Sequence, residues 1–121
     1  MTGVTAGVLH KDGRIMIYKR PRGKKYAGLW EFPGGKMEGE ESPEETLRRE
    51  LREELAIDVR VGRVLDILRE GEILLMFYDC STEDEPRPQE GGQAEFVRED
   101  SLSGYSFAPL DEKFLRRQGL L

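Results

Sequence analysis

Cysteine is nearly absent from this chain: Cys80 stands alone among 121 residues. No disulfide can form within it, so a reducing compartment is the expected setting. Cys80 closes an apolar run and reads as a small core residue. Histidine is equally scarce. His10 has no second histidine with which to build a metal site or a triad, and it lies beside a turn. Long apolar runs are missing too, and none approaches the roughly 20 residues that a membrane-spanning helix needs. The first residues lack the charged-then-apolar layout of a signal peptide. The expectation is a cytoplasmic protein with no membrane partner. Basic charge is not in excess: 19 Lys and Arg face 24 Asp and Glu, a net charge of −5. A nucleic-acid polymer would ordinarily ask for a basic face. A smaller substrate bearing phosphates stays admissible, because metal cations can supply the complementary charge locally.

What is present fits one domain over residues 1–121, long enough to bury a core without staples. Val4 to Leu9 is short and apolar, and Asp12-Gly13 is a strong hairpin signal before Ile15, Ile17 and Tyr18. Leu29 to Phe32 is short and apolar, and Pro33-Gly34-Gly35 is expected to break regular structure. Ser42-Pro43-Glu44-Glu45 is a capping box with proline at the first helical position. It predicts a helix from Pro43 to about Leu55, with Leu47, Leu51 and Leu55 as the buried stripe. Ile57 to Leu68 reads as a strand interrupted at Gly62, Ile73 to Cys80 as a central strand, and Ala94 to Val97 as a short one. Ser81 to Gly92 reads as a long loop, and Pro109 to Gln118 as a terminal helix stopped by Gly119. The sum is an α/β layered domain around a mixed sheet.

The central helix carries the chemistry. Glu50, Glu53 and Glu54 share one face, at the edge of the leucine stripe. Like charges at four-residue spacing cost roughly 0.2–0.5 kcal/mol per pair, more near a core. A hard divalent cation such as Mg²⁺ removes that cost and takes carboxylate and phosphate oxygens as ligands. Taken alone, the face reads more simply as a solvated one laced to Arg48, Arg49 and Arg52. The residues before it shift the balance. Gly34-Gly35 lets backbone approach a ligand closely, and Glu41 adds an acid ahead of the cap.

Gly35, Glu41, Arg49-Glu50-Leu51, Glu53-Glu54 and Ala56-Ile57, at these spacings, resemble the Nudix box over residues 35 to 57. Gly28-Leu29-Trp30-Glu31-Phe32-Pro33-Gly34-Gly35-Lys36 is similar to the approach segment of MutT-type members, and Phe107 to Asp111 to the entry of their last helix. The resemblance implies a Nudix-like α/β/α sandwich. It also implies a pyrophosphohydrolase dependent on Mg²⁺, with Mn²⁺ as substitute. Standard or oxidised nucleoside triphosphates would give the monophosphate and pyrophosphate. Two alternatives stay open: a hydrolase of dinucleoside polyphosphates or nucleotide sugars, and a non-catalytic nucleotide sensor. The family usually has glycine where Ala56 stands. A left-handed conformation would cost alanine roughly 1 kcal/mol or more, so a slightly different helix end is expected.

By resemblance, Glu50, Glu53, Glu54 and the Gly34 carbonyl hold metal, and Arg49 holds a glutamate. Glu41 would support the loop–helix junction. Glu53 and Glu90 are the two candidates for the general base, Glu90 being otherwise an ordinary loop acid. Arg20 is the expected phosphate contact, with Lys19 on the opposite face, and Glu31, Phe32 and Pro33 line the substrate approach. Phe32 either stacks on a base or packs in the core. Asp111 either caps the terminal helix or reads the base, and a carboxylate there prefers donors unless it is itself protonated. Arg22, Lys24 and Lys25 form either a solvated loop or a flap over phosphates. A monomer or homodimer binding a nucleotide completes the expectation.

Overall fold

The computed structural model describes residues 1–21, 23 and 25–121. The expected flap residues Arg22 and Lys24 lie outside the described residues.

β1 (Thr2–Lys11) and β2 (Arg14–Lys19) form the expected hairpin. Asp12 and Gly13 both take positive φ, 52° and 75°, as a two-residue turn of this hand requires. β1 is the centre of the molecule. It pairs antiparallel with β4 (Gly34–Lys36) and parallel with β6 (Ile73–Ser81). β6 in turn pairs antiparallel with β5 (Arg60–Glu70), while β2 pairs with β3 (Trp30–Glu31) and β7 (Gln93–Arg98). One parallel pairing among antiparallel ones makes the sheet mixed, as expected.

The two-residue period of the strands divides the core. Ala6, Val8, Ile15 and Ile17 point to one face and pack with Phe114 and Leu115 of α2 (Pro109–Arg117). Leu9, Met16 and Tyr18 point to the other and pack with Leu47, Leu51 and Leu55 of α1 (Pro43–Leu55). A helix on each face gives the α/β/α sandwich. No helix among the described residues is long and apolar enough to cross a membrane.

α1 starts as its sequence dictates. The Ser42 hydroxyl accepts from the Glu45 N–H at 3.1 Å, and the Glu45 carboxylate accepts from the Ser42 N–H at 2.9 Å. Its end departs from expectation. Ala56 takes the left-handed conformation, φ 54° and ψ 39°, and no alternative termination forms. The reason lies in what that conformation satisfies. Ala56 N–H reaches the Arg52 carbonyl, leaving the Glu54 and Leu55 carbonyls to accept from Gln89 and Arg87 N–H at 2.9 and 2.8 Å. Orphan carbonyls of a helix end are thereby paired by a distant loop.

Two other expectations are corrected, and one element is added. Gly34-Gly35 does not break structure but runs in β4, opposite Ala6 and Thr5. A Cβ on Gly34 would lie 1.9 Å from the Thr5 carbonyl oxygen, so only glycine permits this approach. Ile57 and Val59 are not in a strand. β5 begins at Arg60, and the two side chains are buried against α1 without pairing. A 3₁₀ helix, Glu99–Gly104, follows β7 where the sequence shows no period.

Replacing Ala56 by glycine removes the left-handed penalty and is expected to stabilise the protein. The gain is about 0.5–1 kcal/mol, the looser unfolded chain offsetting part of it. Urea denaturation measures it, and a loss of stability would contradict the assignment of strain to this residue.

Candidate active site

The helix acids meet the distal loop in one cavity. Tyr18, Pro21, Glu50, Glu53, Glu54, Gln89 and Glu90 line a space of about 520 Å³. The loop reaches it because its backbone is stitched to the last turn of α1 at Leu55 and Glu54. Glu90 and Gly91 both have positive φ, 51° and 83°, which turns the chain back sharply beside the helix.

Within the cavity the carboxylates differ. Glu54 accepts from the Gly34 N–H at 3.0 Å. Burial, then the nearby charges of Glu50 and Glu31, push its carboxyl up to about 8 against the pull of that hydrogen bond and of Arg20. Glu50 is raised as well, chiefly by burial. It is accommodated because Gly35 has no side chain: a Cβ there would sit 2.3 Å from the Glu50 carboxyl carbon. Glu53 is more open, its side chain 58% exposed.

Arg49 ties the outer acids together. Its Nη1 donates to Glu50 at 3.0 Å and to both Glu53 oxygens at 3.3 Å. Its Nε and Nη2 donate to Glu41 at 2.7 and 3.0 Å. Glu41 is held down to about 2, first by Arg49 and then by the Glu38 N–H, with Thr46 donating too. Glu41 therefore braces the junction between β4 and α1.

Beyond this cluster lies a second group. Arg20 donates through Nε to Glu31, whose carboxyl burial pushes up and Arg20 pulls back. Lys19 turns to the other face and lies 5.3 Å from the Trp30 ring centre. The Asp111 carboxylate is buried and accepts from the Phe32 N–H at 2.9 Å. Its carboxyl is pushed up to about 7, mainly by burial.

A model of the NUDIX domain matches residues 1–118. The chain belongs to the NUDIX family. The 8-oxo-dGTP diphosphatase of Haemophilus influenzae is 31% identical over 94% of this chain and 88% of its own length. The CTP pyrophosphohydrolase of Escherichia coli is 50% identical over 51% of this chain, a match spanning 46% of that relative, about half its length. In structure, the MutT NUDIX hydrolase of Burkholderia pseudomallei superposes with a TM-score of 0.84, at 25% identity, covering 95% of each chain.

Set on this NUDIX frame, the residues expected from sequence fall into two sets. Glu50, Glu53, Glu54 and Glu90 converge on the cavity, with Arg49 beside them and Gly34 behind Glu54. Phe32 does not join them. Its ring is 1% exposed and packs edge-on to Phe77 and Phe114 and beside Phe107, so base stacking gives way to core packing. Pro33 is buried and its carbonyl accepts from Gly7 N–H, so its groups serve the fold. Asp111 does not cap α2, whose N-cap is Ala108. Tyr18, which the sequence marks only as part of the second strand, joins the cavity lining. Cys80 is core as expected, and burial pushes its thiol up to about 12.

The donor set suits a hard divalent cation: several carboxylates crowded together, two of them, Glu50 and Glu54, raised chiefly by burial and further by neighbouring acids. Among the described residues no three acids already stand as a closed cage. Glu50 and Glu53 would have to turn from Arg49 toward the ion.

Asp111 generates a pH test. A carboxyl raised from about 4 to about 7 in the folded state contributes stability at low pH that is lost as pH rises through that window. Asp111→Asn keeps an oxygen for the Phe32 N–H and removes the charge. It is expected to melt higher than the parent at about pH 8, by at least roughly 3 °C, and to converge with it at about pH 4.5. Parallel melting curves across this range would contradict the assignment.

Proposed function

We propose that this protein is a Mg²⁺-dependent pyrophosphohydrolase that cleaves a nucleoside triphosphate to the monophosphate and pyrophosphate. The observation that carries this reading is the convergence of Glu50, Glu53 and Glu54 on one face of α1 with Glu90 across a single cavity. Glu50, Glu53, Glu54 and the Gly34 carbonyl are the groups that would hold the cation. When bound, such an ion neutralises the phosphoryl oxygens and acidifies water at the site, with Mn²⁺ the expected substitute for Mg²⁺. The chain's own residues do the rest. Glu90, presented from across the cavity, takes the proton of the attacking water. Glu53 is the second candidate, but it is tied to Arg49. Arg49 keeps Glu50 and Glu53 from repelling one another before the substrate arrives. Among the described residues Arg20 is engaged through Nε alone, and its terminal nitrogens would meet phosphate oxygens while Glu31 fixes its plane.

Asp111 supplies the base preference. Its carboxyl is pushed up to about 7, and above that pH, as a carboxylate, it takes donors. Cytosine offers its N4 amino group, and oxidation of guanine at C8 turns N7 from an acceptor into an N–H donor. The relatives named for 8-oxo-dGTP and for CTP therefore share a chemistry that Asp111 suits, and dGTP lacks it at N7. The lone, buried thiol of Cys80 suits a reducing cytoplasm.

A panel of 8-oxo-dGTP, dGTP, CTP, dCTP and ATP with Mg²⁺ or Mn²⁺, each product quantified by chromatography, tests the reading. The expected products are monophosphate and pyrophosphate, with 8-oxo-dGTP cleaved faster than dGTP. No turnover of any member would sink it. Glu53→Gln is expected to abolish turnover while sparing nucleotide binding, and a variant with full activity would refute the placement of the chemistry.

A further inference from the structure

Tyr18 belongs to the acid-lined cavity yet has no part in the mechanism above. It lies on β2 between two cross-strand neighbours, Glu31 of β3 and Ala94 of β7. The residue is 3% exposed and belongs to the core cluster that includes Leu47, Leu51 and Leu55, which restrains the ring. Its hydroxyl end faces the loop that carries Glu90. A Cβ built on Gly92 would stand 2.5 Å from the Tyr18 oxygen and 3.0 Å from two ring carbons. Gly92 is two residues beyond Glu90, and its N–H closes the loop onto the Gln89 carbonyl. The φ of Gly92 is not in the left-handed region, so backbone freedom does not explain glycine there. The explanation is contact: the loop rests on the phenol, and a side chain would lift it.

We propose that Tyr18 is a positioning residue of this site, the seat against which Gly92 packs and which thereby sets where Glu90 stands relative to Glu53 and Glu54. The loop has two anchors. Arg87 and Gln89 fix its entry to the end of α1 through backbone hydrogen bonds. Tyr18 fixes its exit through Gly92. Glu90 lies between them, so its place depends on both. Burial, then the charges of Glu54, Glu31 and Glu90, push the Tyr18 phenol up to about 12. The seat is thus neutral wherever the enzyme would work. The inference rests on the proposed role of Glu90, but the seat itself can be observed without turnover.

The test is a double-mutant cycle of Gly92→Ala and Tyr18→Phe. Gly92→Ala should lower kcat at least about tenfold in the parent, with KM changed less than about twofold, because Glu90 is displaced while substrate contacts elsewhere persist. In the Tyr18→Phe background the closest clash is gone, and the same alanine should cost no more than about threefold. Amide chemical shifts of Glu90 and Gly91 give the second readout. They should move with Gly92→Ala and return toward their Tyr18→Phe values in the double variant. An equal loss of kcat in both backgrounds, or unmoved amide shifts, would overturn the proposal. If the parent cleaves no nucleotide, the functional reading fails while the shifts still decide whether the seat exists.

Discussion

The Glu54 carboxylate sits where its charge is least welcome. Burial opposes it, Glu50 and Glu31 repel it, and the Gly34 N–H and Arg20 recover only part of the cost. Much of the molecule is arranged around holding it there. β4 presses against β1 with glycines that admit no side chain, which brings the Gly34 N–H to Glu54 and clears room for Glu50 at Gly35. α1 is fixed at its start by a capping box and along its length by three fully buried leucines. A crowded set of carboxylates is unstable by itself and becomes favourable once a cation is bound. In the proposed reading, the fold would hold its affinity for metal as electrostatic strain.

The outer layer of the site controls that strain. Arg49 spreads one guanidinium over Glu41, Glu50 and Glu53, so the cluster is partly neutralised before any ligand enters. The helix end contributes as well. By turning left-handed at Ala56, α1 leaves the carbonyls of Glu54 and Leu55 for the loop of residues 87–92. The same turn that ends the helix therefore delivers Glu90 to the helix acids.

The parts legible in the sequence are those set by local chemistry. Ser42-Pro43-Glu44-Glu45 announces the start of α1, Asp12-Gly13 announces the hairpin, and leucines every four residues give the buried face. The convergence of Glu50, Glu53 and Glu54 follows from helix geometry alone. What was not legible depends on partners far along the chain. Gly34-Gly35 reads as a break until β1 lies beside it. Ile57 and Val59 alternate like a strand but meet no partner strand. Phe32 is adjacent to the box, yet Phe77, Phe107 and Phe114 claim its ring. Arg20 reads as a free cation until Glu31 arrives from across the sheet. Tyr18 shows the limit: the sequence places it in a strand, and only the returning loop shows that its hydroxyl borders the site.

Relief of the carboxylate crowding at Glu54 by a divalent cation is read out by thermal unfolding of the parent and of Glu54→Gln at about pH 9, with and without Mg²⁺. Without the ion, the variant should melt above the parent, since a buried charge has been removed. With the ion, the parent should rise by several degrees and the variant should barely move. A variant that melts lower without Mg²⁺, or that gains as much from it as the parent, would show that Glu54 crowding is not what the ion relieves.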